Sequence, residues 1–229
     1  MMRIQMLTCD RNPSYFGQSW RSMLYQDASV KYEDLRIVVH AENASFLDKY
    51  VLTERICKHT LTPEKAAEKK ALRLPKQRVV HANRFMLECA ADVGEFLFLE
   101  DDVMFAPNWF FRFQRYLDTI EDRDNCMVAL HSHLPETRRG LVKWDPKTYW
   151  GLQGMWIGKN ARELCLRYMQ PNVKAVPTEA GDVRVKMMLL ANRRITLYAI
   201  YPSLIQHTGY TTSIGSRFHL SPTFGQDVE

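Results

Sequence analysis

Cysteine is sparse in this 229-residue chain and poorly arranged for either of its usual structural roles. Cys9, Cys57, Cys89, Cys126 and Cys165 are odd in number, scattered and never spaced Cys-x-x-Cys, which argues against both a zinc ribbon and a disulfide framework. Free thiols in a reducing compartment fit better. Also missing is any apolar run near the roughly 20 residues that a helix needs to cross a bilayer. Residues 1–8 lack the basic opening and long hydrophobic stretch of a secretory leader. The expectation is a soluble, cytoplasmic protein with no membrane partner. There is no internal repeat, and a net charge of +5 permits an anionic substrate or nucleic acid without requiring either. The length suits one α/β domain with a core that needs no covalent staples.

What is present is an abrupt junction. Residues 96–103 read Phe-Leu-Phe-Leu-Glu-Asp-Asp-Val, an apolar run that stops on three adjacent acids. Uninterrupted apolar residues of this length predict a strand buried on both faces, as in a parallel sheet covered by helices. Glu100, Asp101 and Asp102 then lie at its carboxyl end, where open α/β sheets bind ligands. Like charges a few ångströms apart repel by roughly 1 kcal/mol per pair in water and several times more in a poorly solvated cleft. A hard divalent cation, its shell completed by substrate phosphates, would offset that repulsion. A solvated acidic turn is the plainer reading; the hydrophobic approach and the aromatic exit, Met104 to Trp109, favour the metal–phosphate site.

The surrounding pattern alternates strand and helix. Strands are expected at residues 3–8, 35–40, 96–100, 125–131 and 195–200, and helices at 15–28, from Thr62-Pro63 to a stop at Pro75, at 77–93, 109–120, 160–169 and 182–192. Residues 134–159 show no period and read as a long functional loop. The order implies a Rossmann-like, mostly parallel sheet flanked by helices.

With these elements in place, Arg78-x4-Asn83-x12-Phe96-Leu-Phe-Leu-Glu-Asp-Asp-Val resembles the corresponding stretch of GT-A nucleotide-sugar glycosyltransferases. Pro202 to Gly209, followed by Ser213, is similar to the carboxyl-terminal block of N-acetylglucosaminyltransferase IV-like enzymes, and Trp150 to Trp156 to their glycine-rich acceptor-side strand. The resemblance implies a single GT-A domain over residues 1–229, with a nucleotide-sugar half (1–105) and an acceptor half (106–229) closed by a carboxyl-terminal lid. It implies Mn2+ or Mg2+ on Asp102 and His207, and a donor, most simply a UDP-sugar, held by Thr8, Asp10, Arg11, Arg78, Asn83, Glu100 and Asp101. Thr211, Thr212, Ser213, Ser216 and Arg217 would form the lid. Asp182 or Glu179 would be the base of an inverting hexosyl or N-acetylhexosaminyl transfer, although the usual Glu-Asp pair is here split by Ala180-Gly181. As a helix-start residue Asp182 has an ordinary alternative role as N-cap. The acceptor would lie on Trp144, Trp150, Gly154, Met155 and Trp156.

The acceptor itself is open. Arg138, Arg139, Lys143, Trp144, Lys147, Tyr149 and Trp150 mix cations with aromatics, which suits unpaired bases and phosphates as well as sugars. One reading is therefore glycosylation of a 5-hydroxymethylated pyrimidine in DNA, as in bacteriophage DNA-modifying glycosyltransferases; the other is a glycan or small-molecule acceptor. His131-x-His133 has no adjacent carboxylate and reads as structural or substrate-facing. A metal-dependent phosphohydrolase or nucleotidyltransferase would use similar acids, and a non-catalytic nucleic-acid-binding protein would leave them unexplained.

Overall fold

The computed structural model describes residues 1–9, 14–28, 30, 35–41, 45–48, 56–171, 179–209 and 220–226. In chain order the elements are β1 (Met2–Leu7), α1 (Phe16–Tyr25), β2 (Leu35–Ala41), β3 (Ile56–Thr60), α2 (Pro63–Ala71), α3 (Pro75–Cys89), β4 (Phe96–Glu100) and β5 (Val103–Phe105). They continue with α4 (Trp109–Leu117), β6 (Cys126–Ala129), β7 (Gly140–Lys143), β8 (Gly154–Ile157), α5 (Lys159–Tyr168), α6 (Gly181–Ala191), β9 (Thr196–Tyr201) and β10 (Ile205–His207).

Eight strands form one sheet in the order β3-β2-β1-β4-β8-β6-β9-β7. β1, β2, β3 and β4 run parallel, as do β6 and β9, while β8 is antiparallel to both β4 and β6. The expected mixed, mostly parallel sheet is therefore present. The central strand shows why its sequence is continuously apolar: Leu97 and Leu99 enter the core beneath α1 and α4, while Phe96 and Phe98 enter the core beneath α3, α5 and α6. Alternate side chains leave a strand on opposite faces, so a strand covered on both sides has no polar positions to spare.

The first core is knit by aromatic residues of α1 and α4. Trp109 is fully buried and its indole N–H donates to Met23 O at 2.8 Å. Asp27, just beyond α1, accepts from the backbone N–H groups of Phe110 and Phe111 at 2.8 and 3.1 Å, serving as the cap that the left-handed Asn108 does not supply. The helix expected from Thr62-Pro63 is present, with Thr62 Oγ1 accepting from Lys65 N.

Three expectations are corrected. Pro75 does not end a helix; it opens α3, where its missing N–H costs nothing, and α2 ends at Ala71. Residues 134–159 are not one irregular loop, because β7, a short 3-10 turn (Pro146–Thr148) and β8 lie within them. The N-cap of α6 is Ala180, with no side-chain cap, so Asp182 stands inside the first turn, leaving its carboxylate uncommitted to capping.

Candidate active site

The two-stranded sheet of β5 and β10 builds the site. Strand β4 ends at Glu100, Asp101 and Asp102 make the turn, and β5 leaves to pair antiparallel with β10, placing His207 opposite Val103. Thr208 then locks the turn, since its N–H and its hydroxyl donate to Asp102 O at 2.7 and 3.0 Å. Ser19 of α1 holds the other side: its hydroxyl lies 2.5 Å from Asp101 O and 2.6 Å from Val103 O, and accepts from Val103 N at 3.0 Å. Neither threonine nor serine stands out in the sequence; both earn their place through backbone groups of the acidic turn.

The three acids do not share one environment. Thr8 Oγ1 donates to Asp101 Oδ2 at 2.5 Å, turning Asp101 toward β1. Asp102 Oδ2 instead lies 3.3 Å from His207 Nε2, and both side chains are buried. Glu100, Asp102 and His207 each offer one ligand atom, all within 4.8 Å of one another. Glu100 rather than Asp101 thus joins the pair that the sequence singled out.

This donor set fits a divalent cation. Two carboxylates offset a double positive charge, and a single imidazole suits Mn2+ better than Mg2+. A second observation agrees: a Cβ at Gly209 would stand 2.4 Å from Asp102 Oδ2 and 3.1 Å from His207 Nε2, so this glycine keeps open the space between the two ligands.

A cavity of about 390 Å³ lies over the acids. Of the residues expected to act, Thr8, Arg78, Asn83, Glu100, Asp101, Asp102, Trp150, Asp182 and His207 line it. Asn83 is buried on α3 and faces Gly181, where an added Cβ would come within 2.5 Å of Asn83 Nδ2. Its Oδ1 has no hydrogen-bond partner among the described residues, leaving an acceptor for a ligand. Glu179 is not among the lining residues, and Arg184 of α6 contacts its backbone oxygen. Asp10, Arg11 and the lid residues Thr211, Thr212, Ser213, Ser216 and Arg217 fall outside the described residues.

The acceptor-side expectations fare differently. Gly154, Met155 and Trp156 form β8 in mid-sheet and do not line the cavity; Met155 and Trp156 are core residues, and Ile205 packs where a Cβ of Gly154 would be. Trp144 is buried too, its indole N–H donating to Thr148 Oγ1 at 2.9 Å, and Tyr149 is only 1% exposed. Burial, then the nearby Asp182, pushes the Tyr149 phenol well above its usual range, so it stays protonated. Trp150 remains at the cavity, edge-on to His133 at 5.8 Å. Gly151, with φ of 92°, turns the chain there, and Gln153 O accepts from Glu100 N at 3.0 Å.

Composition gave no warning of Lys69, which joins Arg78 as a cation lining the cavity. It lies in the Lys-rich helix α2, where one lysine resembles the next, and only the docking of α2 beside α3 selects it.

No protein-family model and no curated protein matches the sequence. Solved structures do. The chain is similar to the galactosyltransferase LgtC, crystallised with donor and acceptor sugar analogues, at 15% identity and a TM-score of 0.55, covering 86% of this chain and 73% of that one. An active-site mutant of LgtC gives the same identity and TM-score over 90% and 86% of the two chains. S. aureus TarS is similar at 12% identity and a TM-score of 0.54, over 87% of this chain and 60% of that one. Likeness at such low identity is likeness of fold, and it matches the sheet described above: the chain has the GT-A fold.

Proposed function

We propose that this protein is a metal-dependent glycosyltransferase that moves a sugar from a nucleoside diphosphate sugar to an acceptor hydroxyl. The observation that carries the reading is the meeting of Glu100, Asp102 and His207 at the carboxyl end of β4, on the wall of a cavity large enough for a nucleotide. A bound divalent cation would stabilise negative charge developing on a departing diphosphate. Lys69 and Arg78 add positive charge on the same cavity, placed to attract that diphosphate. Thr8 and Ser19 hold Asp101 and its backbone in place, and Thr208 does the same for Asp102.

Asp182 is the candidate base. It lines the cavity in the first turn of α6, and it makes no cap that would occupy it. In that role it accepts the proton of the acceptor hydroxyl as that oxygen attacks the anomeric carbon. Glu179 is the lesser candidate because it does not line the cavity.

For the acceptor, a carbohydrate or small-molecule hydroxyl is favoured over a base in DNA. Two of the three aromatics that would stack on unpaired bases, Trp144 and Tyr149, are buried, while the cations Arg138, Arg139, Lys143 and Lys147 are exposed. Arg138 pairs with Glu136 at 2.6 Å and Arg139 donates to Gln226 at 3.0 Å. Trp150 alone of those aromatics lines the cavity, a suitable platform for one sugar face.

The test is a thermal-shift panel of UDP- and other nucleoside diphosphate sugars, each with and without Mn2+. Ligands that bind the folded form raise its apparent stability. The expected result is a shift that needs donor and metal together and is lost in Asp102→Ala. A nucleotide shift indifferent to Mn2+ would defeat the reading.

A further inference from the structure

A second ligand cluster lies away from the acids. His40 at the end of β2 and His59 in β3 are register partners on adjacent parallel strands, and Cys89 closes α3 above them. His40 Nδ1 stands 3.3 Å from His59 Nδ1, and Cys89 Sγ stands 3.2 Å from the same His59 nitrogen. One ligand atom from each of the three lies within 4.8 Å of the others. Two nitrogens bound at about 2.0–2.1 Å in a tetrahedral shell stand roughly 3.4 Å apart. The two imidazoles already have that spacing.

Their orientation is fixed from outside. Gln5 Oε1, in β1, lies 2.5 Å from His40 Nε2, so that nitrogen carries the proton and Nδ1 presents its lone pair to His59. Outer partners of this kind set the tautomer of metal-binding histidines. Phe85 stacks on His59 with ring centroids 5.0 Å apart and meets His40 edge-on at 5.8 Å, clamping both rings. A small cavity of about 100 Å³, lined by Arg3, Gln5, Arg36, Cys89 and Asp92 among others, lies on the Cys89 side of the cluster.

We infer that His40, His59 and Cys89 form a site for a borderline-soft divalent transition metal of the zinc type, separate from the acidic site. Imidazole and thiolate together select such ions, whereas the carboxylates around Asp102 select harder ones. Binding forms two metal–nitrogen bonds and one metal–sulfur bond and releases the Cys89 thiol proton to solvent, while water completes the shell. The sulfur stands beside the His59 ring, 4.0 Å from its Nε2, so coordination also turns the half-buried Cys89 about χ1. The bound ion would tie β2, β3 and α3 together, and through His40 it would stiffen one wall of the large cavity.

The test is equilibrium dialysis of the full chain, without a polyhistidine tag, against Zn2+ and separately Co2+. The expected result is one tightly held ion per chain beyond any held at the Asp102 site and, in the cobalt form, a near-ultraviolet thiolate-to-metal charge-transfer band. Both should vanish in Cys89→Ser and His59→Ala and persist in Cys57→Ser and Asp102→Ala. Gln5→Met should weaken the binding by about 10–100-fold, the usual effect of losing an outer-shell partner. A folded wild-type chain without the thiolate band, or a band unchanged in Cys89→Ser, would overturn the site. Should Cys89→Ser fail to fold, the wild-type cobalt spectrum still decides. Persistence in Asp102→Ala keeps the outcome separate from the fate of the glycosyltransferase reading.

Discussion

Asp101 and Asp102 are consecutive residues that face opposite partners: Thr8 donates to Asp101 Oδ2 at 2.5 Å, whereas Asp102 Oδ2 lies 3.3 Å from His207 Nε2. The two carboxylates should therefore fail differently. Asp102→Asn is expected to abolish Mn2+-dependent donor binding and lower turnover by about 10²–10³-fold, the scale of losing one preorganised electrostatic contact. Thr8→Val removes a single hydrogen bond, worth about 0.5–1.5 kcal/mol, and should weaken donor affinity by about tenfold or less. Calorimetric titration with donor at fixed Mn2+ separates the two.

Gly209 has an ordinary backbone conformation but no room for a side chain, because a Cβ would stand 2.4 Å from Asp102 Oδ2. Gly209→Ala should lower the melting temperature of the metal-free protein, because the buried Asp102 carboxylate has to shift, and remove its rise on adding Mn2+. A full manganese response in this variant would show that the cation sits elsewhere.

Asp182→Asn keeps the size of the side chain and removes its basicity. The expected effect is a fall in kcat of about 10²–10⁴-fold with donor affinity retained, the range for a general base. Glu179→Gln, at a residue outside the cavity lining, should change kcat little. Single-turnover assays on both variants check this.

Asp27 supplies both hydrogen bonds to the amino end of α4. Its replacement by Ala leaves the buried N–H of Phe110 and the partly buried N–H of Phe111 without their acceptor and should cost about 1–2 kcal/mol of stability. Urea unfolding measures it, as a lower midpoint with an unchanged slope.

Buried thiols contribute to the loss of stability at alkaline pH. Burial pushes Cys165 to about 12 and, with nearby acids adding less, Cys126 to about 12, against 9.0 for the unperturbed group. Each folded-state value is raised, so the folded form holds its proton longer than the unfolded chain. The resulting stability is complete below pH 9 and is lost as pH rises toward 12, at about 1.4 kcal/mol per pH unit for each thiol. Cys165→Ala should flatten the measured slope between pH 9 and 11. At pH 8 the exposed Cys57 should react with a maleimide while Cys126 and Cys165 do not.

Much of the frame was legible before any coordinates. Phe96 to Glu100 could be read because a strand covered on both faces must be apolar throughout, and Thr62-Pro63 because capping chemistry is local. Short strands were not. β5 and β10 have three residues each, too few to display a period, yet they are what carries His207 to Asp102. The His207 assignment came from resemblance to a motif, and its geometric reason exists only in the pairing. Aromatic and basic composition also misled at Trp144 and Tyr149, since composition does not say which way a side chain points. His40, His59 and Cys89 are too far apart in sequence to form any motif; strand register and helix docking bring them together.

The central claim is that a cation neutralises the acids at the end of β4 while bound to a diphosphate. The most direct measurement is anomalous diffraction at the manganese edge from crystals grown with Mn2+ and UDP. The account predicts one strong peak within coordination distance of Asp102 and His207, touching the diphosphate, with Glu100 turned toward it. A nucleotide bound in the cavity with no manganese peak beside Asp102 would contradict it.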